Sequence, residues 1–585
     1  MDGAGRPERT MACFSCALLL LLGALAASSA DLEPPPVPAL KVYLGQRFAA
    51  APVGPLRFAP AQLAPFNEST FANASANRVG RFGPRCMQGG LVKPKVCTQD
   101  GSAQANQCIN EDCLFLSIAT PKAAVPTAAG GGGGALVPIF FWIYGGGWTA
   151  GSGSDYDGDS LAAGQNMMVV TPNYRLGTLG YFASAELQAE NAATGGGRGG
   201  TGGMNGLLDQ ITALQWLRKN SHRFGGDASR ITIAGESAGG ESVCNLLASP
   251  AAKGLFKRAI VESGPCVGGQ VGWGAHPKTE AFAASAKLAK GRTLAQLRAV
   301  ADGYSLLQQS GIERRTARAG SSPQGLLRDN NNFDKIEDSV DGFVLVGDMQ
   351  NPAAPCPTFR SMNSGNLSEW NAEEIIIGGN SFDGLDSYYV PYESFGKPKR
   401  LSQAVYTRNM AASYGANAAA VSKLYAPSRF GGNINAAYCQ PNGDAGVVCP
   451  SLEVAKLLSR AGGKAFVYWF DYGPLCSDQA KAFDATTGAE KIGWASHGSE
   501  VTWVFGGSCA AADKSGLSRT MQDLWGSFTR SGAPSSSQTG AWRPWTEVGG
   551  ETMVLDQKPR MATGIKQKDC AALLAINSSL WAHQT

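Results

Sequence analysis

The sequence predicts an α/β fold with a large, mostly parallel central sheet flanked by helices. Short apolar runs rich in β-branched residues alternate with helical stretches along most of the 585-residue chain. One of these runs, Ile231–Ile233, leads through a glycine-rich turn directly into a helical stretch. No linker-like segment divides the chain, and 44% hydrophobic residues supply a large core. We therefore expect residues 31–585 to form a single domain.

Strands are expected where apolar, β-branched and aromatic residues cluster between turn residues. The expected strands are Lys41–Phe48 (as an edge hairpin), Cys113–Ile118, Val137–Tyr144, Met167–Val170, Ile231–Ile233, Ala259–Glu262, Ile375–Ile377 and Phe466–Phe470. Helical spacing predicts Leu207–Phe224 and Leu517–Ser531, and the Ala/Leu-rich stretch Ala281–Gly325 predicts helical, cap-like insertions over the sheet.

The first 30 residues have the pattern of a secretory signal peptide. Arg6 and Arg9 form a basic start, Ala17–Ala27 is apolar, and Ser28-Ser-Ala30 is a small-residue cleavage signal. The apolar run is shorter than the ~20 residues that span a membrane. An uncleaved anchor is the alternative, and otherwise we expect no stable membrane span.

Cysteines and glycosylation sequons agree with a secretory route. Two of the 14 cysteines lie in the leader, and the remaining even number favours disulfides. Four Asn-x-Ser sequons begin at Asn67, Asn73, Asn366 and Asn577. We therefore expect a secreted or secretory-pathway glycoprotein.

Charge and motif content argue against several other classes of protein. The chain has 50 lysine and arginine residues and 46 acidic residues, and this small excess does not favour nucleic-acid binding. The tract Gly195–Gly203 contains G-x-G-x-x-G without a preceding strand, and Asp155–Asp159 lacks the glycine and glutamate of a calcium loop. We expect neither a metal nor an organic cofactor.

The turn Gly235-Glu-Ser237-Ala-Gly239 matches the G-x-S-x-G pattern of a nucleophile elbow. Glycines on both sides let a strand turn sharply into a helix, which exposes the serine oxygen. The backbone N–H of Ala238 can then bind a developing oxyanion. A chain with 75 glycines contains chance matches to this pattern, so the pattern alone is weak evidence. A base and an acid that could act with the serine must also be found.

A serine nucleophile needs a base, and the chain has only four histidines, His222, His276, His497 and His583. His222 follows helical spacing beside charged residues, His276 lies soon after the nucleophile in a predicted loop, and His583 lies in the tail. In proteins with this kind of elbow, the three catalytic residues follow one another along the chain in the order serine, acid, histidine. This order favours His497.

The acid is expected after a strand between the serine and the histidine. The strand Ile375–Ile377 opens into a Gly/Asn-rich loop that contains Asp383 and Asp386. A buried carboxylate there would fix the tautomer of the imidazole. Spacing alone does not separate the two aspartates.

These segments together resemble the type-B carboxylesterase/lipase family, which includes the cholinesterases. The resemblance runs from Tyr43 almost to the C-terminus. Its segments are Arg47–Phe58, Glu111–Ile118, Trp142–Gly147, Asn173–Gly177, Leu207–Gln210, Phe224–Asp227, Gly235–Gly240, Ser263–Gly264 and His497–Gly506. The resemblance implies an α/β-hydrolase fold with large insertions, acting on small-molecule or lipid esters.

Specific roles follow from the resemblance. It implies a catalytic triad of Ser237, Asp383 and His497, although many relatives carry Glu at the position of Asp383. It further implies an oxyanion hole formed by Gly146, Gly147 and Ala238, supporting roles for Glu236, Ser263 and Glu500, and a disulfide between Cys86 and Cys113. Cys97 with Cys108 and Cys439 with Cys449 are further plausible pairs.

The resulting prediction is a serine hydrolase that cleaves carboxylic esters through an acyl-enzyme. Two alternatives remain: a non-catalytic, cholinesterase-like adhesion protein, and a lipase or sterol esterase acting on lipid esters. Acetylcholine is not favoured, because Thr98–Gln107 lacks the aromatic residue that would bind a quaternary ammonium.

Overall fold

The structure is a computed structural model of the chain. It describes residues 39–71, 76–88, 95–96, 108–126, 134–193, 202–264, 275–301, 303, 305–306, 345–347, 365–384, 392–393, 397–398, 401–473, 495–507, 510 and 514–576. The predicted leader, two of the sequons (Asn73 and Asn577), Cys97 and Asp386 lie outside this part of the chain.

An eleven-stranded mixed sheet forms the centre of the described structure. Its strands are β1 (Leu40–Arg47), β2 (Arg78–Gly80), β3 (Phe115–Pro121), β4 (Val137–Ile143), β5 (Met168–Pro172), β6 (Gly226–Glu236), β7 (Arg258–Glu262), β8 (Glu374–Asn380), β9 (Lys464–Phe470), β10 (Thr552–Leu555) and β11 (Arg560–Ala562). Their spatial order is β2-β1-β3-β5-β4-β6-β7-β8-β9-β10-β11.

The seven strands from β5 to β10 in this order are parallel. Every residue of β4 and β7 is buried, because helices cover both faces of such a sheet. This explains why these strands are continuous apolar runs rather than alternating patterns. The carboxyl ends of parallel strands share one edge of the sheet, and the candidate site residues follow those ends.

Strand register sets the spacing at this edge. Ile143, the last residue of β4, pairs with Gly235 of β6. Glu236, the last residue of β6, pairs with Glu262 of β7. The loop after β4 and the turn after β6 are therefore neighbours.

Fourteen α-helices accompany the sheet in the described ranges. They are α1 (Asp159–Gln165), α2 (Gly177–Tyr181), α3 (Ala185–Ala193), α4 (Asn205–Asn220), α5 (Ala238–Ala248), α6 (Lys278–Ala289), α7 (Leu294–Arg298), α8 (Gln403–Tyr414), α9 (Ala418–Leu424), α10 (Ile434–Gly443), α11 (Cys449–Arg460), α12 (Val501–Phe505), α13 (Leu517–Ser531) and α14 (Gln567–Ile576). None of the helices in the described ranges is long and apolar enough to cross a membrane.

Most predicted elements occur with shifted ends. Helix α13 has the predicted bounds, whereas α4 ends at Asn220 and a 3-10 turn, Ser221–Phe224, follows. Helices α6 and α7 begin the predicted helical stretch 281–325, much of which lies outside the described ranges. His276, expected in a loop, lies in a short strand, Ala275–Pro277.

The predicted edge hairpin at 41–48 is wrong. The segment is one continuous strand, β1, between β2 and β3. Gly45 has φ +60°, and the register between β1 and β3 shifts between Tyr43 and Gln46. The glycine therefore forms a β-bulge rather than a turn.

Two disulfides are described, and one corrects a predicted pair. Cys86 is bonded to Cys113, the pair that the family resemblance implies. Cys449 is bonded to Cys570, so the proposed Cys439–Cys449 pair is wrong. Cys108 is also disulfide-bonded, but its proposed partner Cys97 is not among the described residues. A local pairing rule failed here because α14 returns to the start of α11.

Candidate active site

Ser237 occupies a strained turn between β6 and α5. Its backbone has φ +56° and ψ −126°, a conformation that residues with a side chain rarely adopt. The turn is held because the Ser237 N–H donates to the Glu262 carbonyl oxygen at 2.9 Å. Such local strain is typical of functional sites.

The flanking glycines are required by close backbone contacts. A Cβ atom on Gly235 would lie 2.6 Å from the carbonyl carbon of Gly239. A Cβ atom on Gly239 would lie 2.0 Å from the Ile143 oxygen at the end of β4. The G-x-S-x-G pattern therefore lets helix α5 start directly against the neighbouring strand.

His497 and Asp383 form a buried hydrogen-bonded pair. The Nδ1 atom of His497 lies 2.8 Å from Oδ1 of Asp383, and their side chains are 5% and 0% exposed. The histidine segment is held by a bond from the Phe382 N–H to the Ala495 oxygen at 2.9 Å. With Nδ1 donating to Asp383, the Nε2 atom is the one that can accept a proton.

The Nε2 edge of His497 faces the serine turn. It lies 3.4 Å from Oε1 of Glu236, the residue immediately before Ser237. Glu236 is closely packed, because a Cβ atom on Gly145 would lie 2.6 Å from its Oε2 and one on Gly498 would lie 3.0 Å from its Oε1. Glu236 thus connects the turn, the loop after β4 and the histidine segment.

A hydrogen-bond network lies behind Asp383. Its Oδ2 atom is 3.2 Å from the Ser263 hydroxyl and also accepts the Asn380 N–H. The same hydroxyl is 2.9 Å from Oε1 of Glu500, to which Tyr468 donates at 3.1 Å. Both oxygens of the aspartate are therefore oriented by fixed partners.

Glu500 is placed to share a proton with this network. Burial raises the pKa of Glu500, and the charge of Asp383 raises it further, while a hydrogen bond from Asn380 opposes the shift. The Ser263 hydroxyl carries one proton, so it can donate to only one of the two carboxyl groups. A neutral Glu500 would donate to Ser263, which could then donate to Asp383.

The loop after β4 lies directly against the serine turn. Gly146, Gly147 and Trp148 have φ values of +105°, +60° and +53°, respectively. This tight turn is closed by bonds from the Thr149 and Ala150 N–H groups to the Gly146 oxygen. A Cβ atom on Gly145 would lie 3.0 Å from the Ser237 Cβ, so the loop backbone borders the serine side chain.

Ala238 is the first residue of α5, and it is buried. The N–H groups of a first helical turn have no acceptor within the helix. The three predicted oxyanion donors therefore lie on two segments that meet at Ser237: the loop with Gly146 and Gly147, and the start of α5.

The structure thus brings Asp383 and His497 together with Ser263, Glu500 and Glu236, and Ser237 follows Glu236 directly in the chain. The alternative histidine His222 is exposed on the turn after α4, and His583 and Asp386 lie outside the described ranges. Sequence reasoning missed Asn380, whose side-chain amide donates to the Ser496 oxygen at 2.8 Å and to Glu500 Oε2 at 2.6 Å. Its position at the end of β8, three residues before Asp383, was the available signal.

Comparison with known proteins gives matches along nearly the whole chain. Residues 28–573 match the carboxylesterase family. A medium-chain fatty acyl-CoA hydrolase precursor from Anas platyrhynchos is 29% identical over 548 residues, covering 90% of this chain and 86% of that protein. The Homo sapiens cocaine esterase is 29% identical over 552 residues, covering 90% and 85%.

The matches extend to solved structures. A thermophilic PNB esterase superposes with a TM-score of 0.65 at 25% identity, covering 92% of this chain and 96% of that chain. Its likeness agrees with the large mixed sheet described above. The predicted α/β-hydrolase fold is confirmed.

Proposed function

This chain belongs to the carboxylesterase family and is a carboxylic ester hydrolase, and we propose that it works through an acyl group carried on Ser237. His497 Nε2 takes the proton of the Ser237 hydroxyl as the oxygen attacks the ester carbonyl. The imidazolium then protonates the leaving alcohol. Water, deprotonated by the same histidine, releases the acid and restores the serine.

Asp383 and the backbone amides stabilise the charges that develop during these steps. Asp383 holds the proton on Nδ1 and stabilises the imidazolium. The N–H groups of Gly146, Gly147 and Ala238 bind the tetrahedral oxyanion. Each such donor is worth ~10²–10³ in turnover in serine hydrolases.

The observation that carries this proposal is the Asp383–His497 pair at 2.8 Å, with Nε2 directed at the turn that bears Ser237. A non-catalytic adhesion protein would not require a buried acid–histidine pair beside a strained serine. Glu236, Ser263 and Glu500 support the triad by the contacts described above.

The substrates we propose are small-molecule carboxylic esters. The relatives include proteins named as a medium-chain fatty acyl-CoA hydrolase, a cocaine esterase and carboxylesterases, and these names support a small-molecule ester as the substrate. A lipase acting on emulsified lipid esters is the second candidate among enzymes. We further propose the secretory pathway as the location, since the disulfides agree with an oxidising compartment.

Pre-steady-state hydrolysis of p-nitrophenyl butyrate tests the acyl-enzyme directly. We expect a burst of nitrophenol equal to the enzyme concentration, followed by slower turnover, because this activated ester acylates the serine faster than water removes the acyl group. Ser237→Ala should abolish both phases. A burst and a turnover rate in Ser237→Ala equal to those of wild type would contradict the proposal. An acyl-chain series from acetate to palmitate, with and without emulsification, then distinguishes an esterase from a lipase.

A further inference from the structure

The three proposed oxyanion donors lie on two segments, and their relative position must be fixed. Gly146 and Gly147 lie in the loop after β4, whereas Ala238 begins α5. Glycine contacts, such as that of Gly239 with the Ile143 oxygen, set how closely the two segments can approach. Close packing alone limits their approach but does not hold them together.

The side chain of Trp148 connects the two segments. Trp148 follows Gly147 immediately and is 5% exposed. Its indole Nε1–H donates to the hydroxyl of Ser242, in the second turn of α5, at 3.2 Å. The same residue has φ +53°, which is unfavourable for a residue with a Cβ atom, and its carbonyl accepts from the Gly177 N–H at 2.7 Å.

Ser242 uses its full hydrogen-bonding capacity. Its hydroxyl donates to the carbonyl of Ala238 at 2.8 Å, and it accepts from Trp148 and from the Gln210 side-chain amide of α4, each at 3.2 Å. A hydroxyl has one proton and two lone pairs, so all three are used. The hydroxyl therefore joins the oxyanion loop to the peptide unit directly after Ala238.

We propose that Trp148 and Ser242, here called the Trp148–Ser242 clamp, position the loop amides relative to the Ala238 amide. The inference rests on the oxyanion role proposed above and adds two positioning residues to it. Neither side chain is assigned a contact with substrate. Trp148 acts through the backbone of Gly146 and Gly147, and Ser242 acts through the first turn of α5.

Loss of the clamp should affect the transition state more than substrate binding. The oxyanion forms only after attack, so misplaced amides lower kcat while the ester still binds. Displacements of about 1 Å in a catalytic constellation cost up to ~10²-fold in rate. A structural role alone would lower the unfolding midpoint and leave the kcat of the folded enzyme unchanged.

The test compares Trp148→Phe, Ser242→Ala and the double variant. We expect each single variant to lower kcat by about tenfold or more, with KM within about twofold of wild type. Affinity for a trifluoromethyl ketone, which forms a tetrahedral adduct with serine, should fall by the same factor as kcat. The kcat of the double variant should lie within about twofold of the kcat of the slower single variant, because both substitutions remove the same bond.

Two further variants make the test specific. Ser242→Thr keeps the hydroxyl and should recover most of the lost kcat. Trp545→Phe removes another buried indole, at the opposite edge of the sheet, where the backbone N–H of Trp545 donates to the Ala465 oxygen near the start of β9. It should leave kcat and inhibitor affinity unchanged.

The outcomes separate this inference from the function on which it rests. Unchanged kcat in Trp148→Phe and Ser242→Ala, additive losses in the double variant, or a loss confined to KM would overturn the clamp. The wild-type burst must be present in the same preparation. Absence of both the burst and the steady turnover in wild-type protein would instead contradict the acyl-enzyme proposal.

Discussion

At the scale of single residues, Asp383 is held through both of its carboxylate oxygens. One oxygen pairs with His497, and the other accepts from Ser263 and the Asn380 N–H. This arrangement leaves the carboxylate little freedom to rotate. In the proposed mechanism it holds the imidazole in the tautomer whose Nε2 can accept the serine proton.

Asp383→Asn should lower kcat by ~10³–10⁴ with little change in stability, because an amide can place its NH₂ against Nδ1 and favour the wrong tautomer. Steady-state ester hydrolysis measures the loss. Asp386→Asn is the matched control, since spacing left both aspartates open. A larger loss in Asp386→Asn than in Asp383→Asn would assign the acid to position 386.

Glu241 makes a second residue-scale prediction, about pH. It is buried in α5, its Oε1 has no hydrogen-bond partner among the described residues, and burial raises its pKa well above the ordinary glutamate value, with His497 opposing the shift. At a pH below the ordinary glutamate pKa, Glu241 is neutral in both the folded and the unfolded state. As pH rises toward the raised pKa, only the unfolded state ionises, so this group's stabilising contribution is lost.

Glu241→Gln should therefore gain thermal stability relative to wild type as pH rises from 4 to 8. Unfolding midpoints across this range provide the measurement, with the exposed Glu369→Gln as control. A constant difference between Glu241→Gln and wild type across that range would mean that Glu241 ionises normally in the fold.

At the scale of elements, the sequence predicted which segments are strands and helices better than where they end. Buried parallel strands such as β4 and β8 are continuous apolar runs, which are easy to detect. Their ends are set by contacts with distant segments. Gly45 shows the limit, because a glycine at positive φ predicts a turn and a bulge equally well.

The elbow gives an element-scale prediction at Gly239. Gly239→Ala would place a Cβ atom 2.0 Å from the Ile143 oxygen, so the first turn of α5 must move away from β4. We expect loss of nearly all ester hydrolysis, and reduced soluble yield.

Gly164→Ala is the matched control. Its Cβ atom would lie 3.6 Å from the nearest atom, the Gln522 side-chain oxygen, and it lies within α1. It should keep full activity and gain about 0.5–1 kcal/mol of stability, because alanine is the better helix former. Equal activity in the two variants would show that the elbow tolerates a side chain at 239.

At the scale of the whole molecule, the site is assembled from the carboxyl ends of parallel strands. Residues 237, 383 and 497 are distant in sequence, but β6 and β8 flank β7, and the histidine segment bonds to the loop after β8. The order of motifs along the chain, read with the family resemblance that separated Asp383 from Asp386, predicted the triad that we propose. It did not predict the Trp148–Ser242 bond or the Cys449–Cys570 disulfide, since neither spacing nor local pattern encodes which distant segments meet.

The Cys449–Cys570 disulfide closes a separation of 121 residues, far from the reacting groups in sequence. Replacing both cysteines by serine should lower the free energy of unfolding by about 2–4 kcal/mol, because the open unfolded chain gains entropy. Urea unfolding measures the change, and kcat at 25 °C should be retained. An unchanged unfolding midpoint would show that this bond does not stabilise the fold.

The most direct test of the account is covalent labelling with a fluorophosphonate, followed by mass spectrometry of the labelled peptide. We expect one adduct per chain on Ser237, none in Ser237→Ala, and much slower labelling in Asp383→Asn. An adduct on another serine, or none on folded wild-type protein, would contradict the proposal that Ser237 is the nucleophile activated by His497.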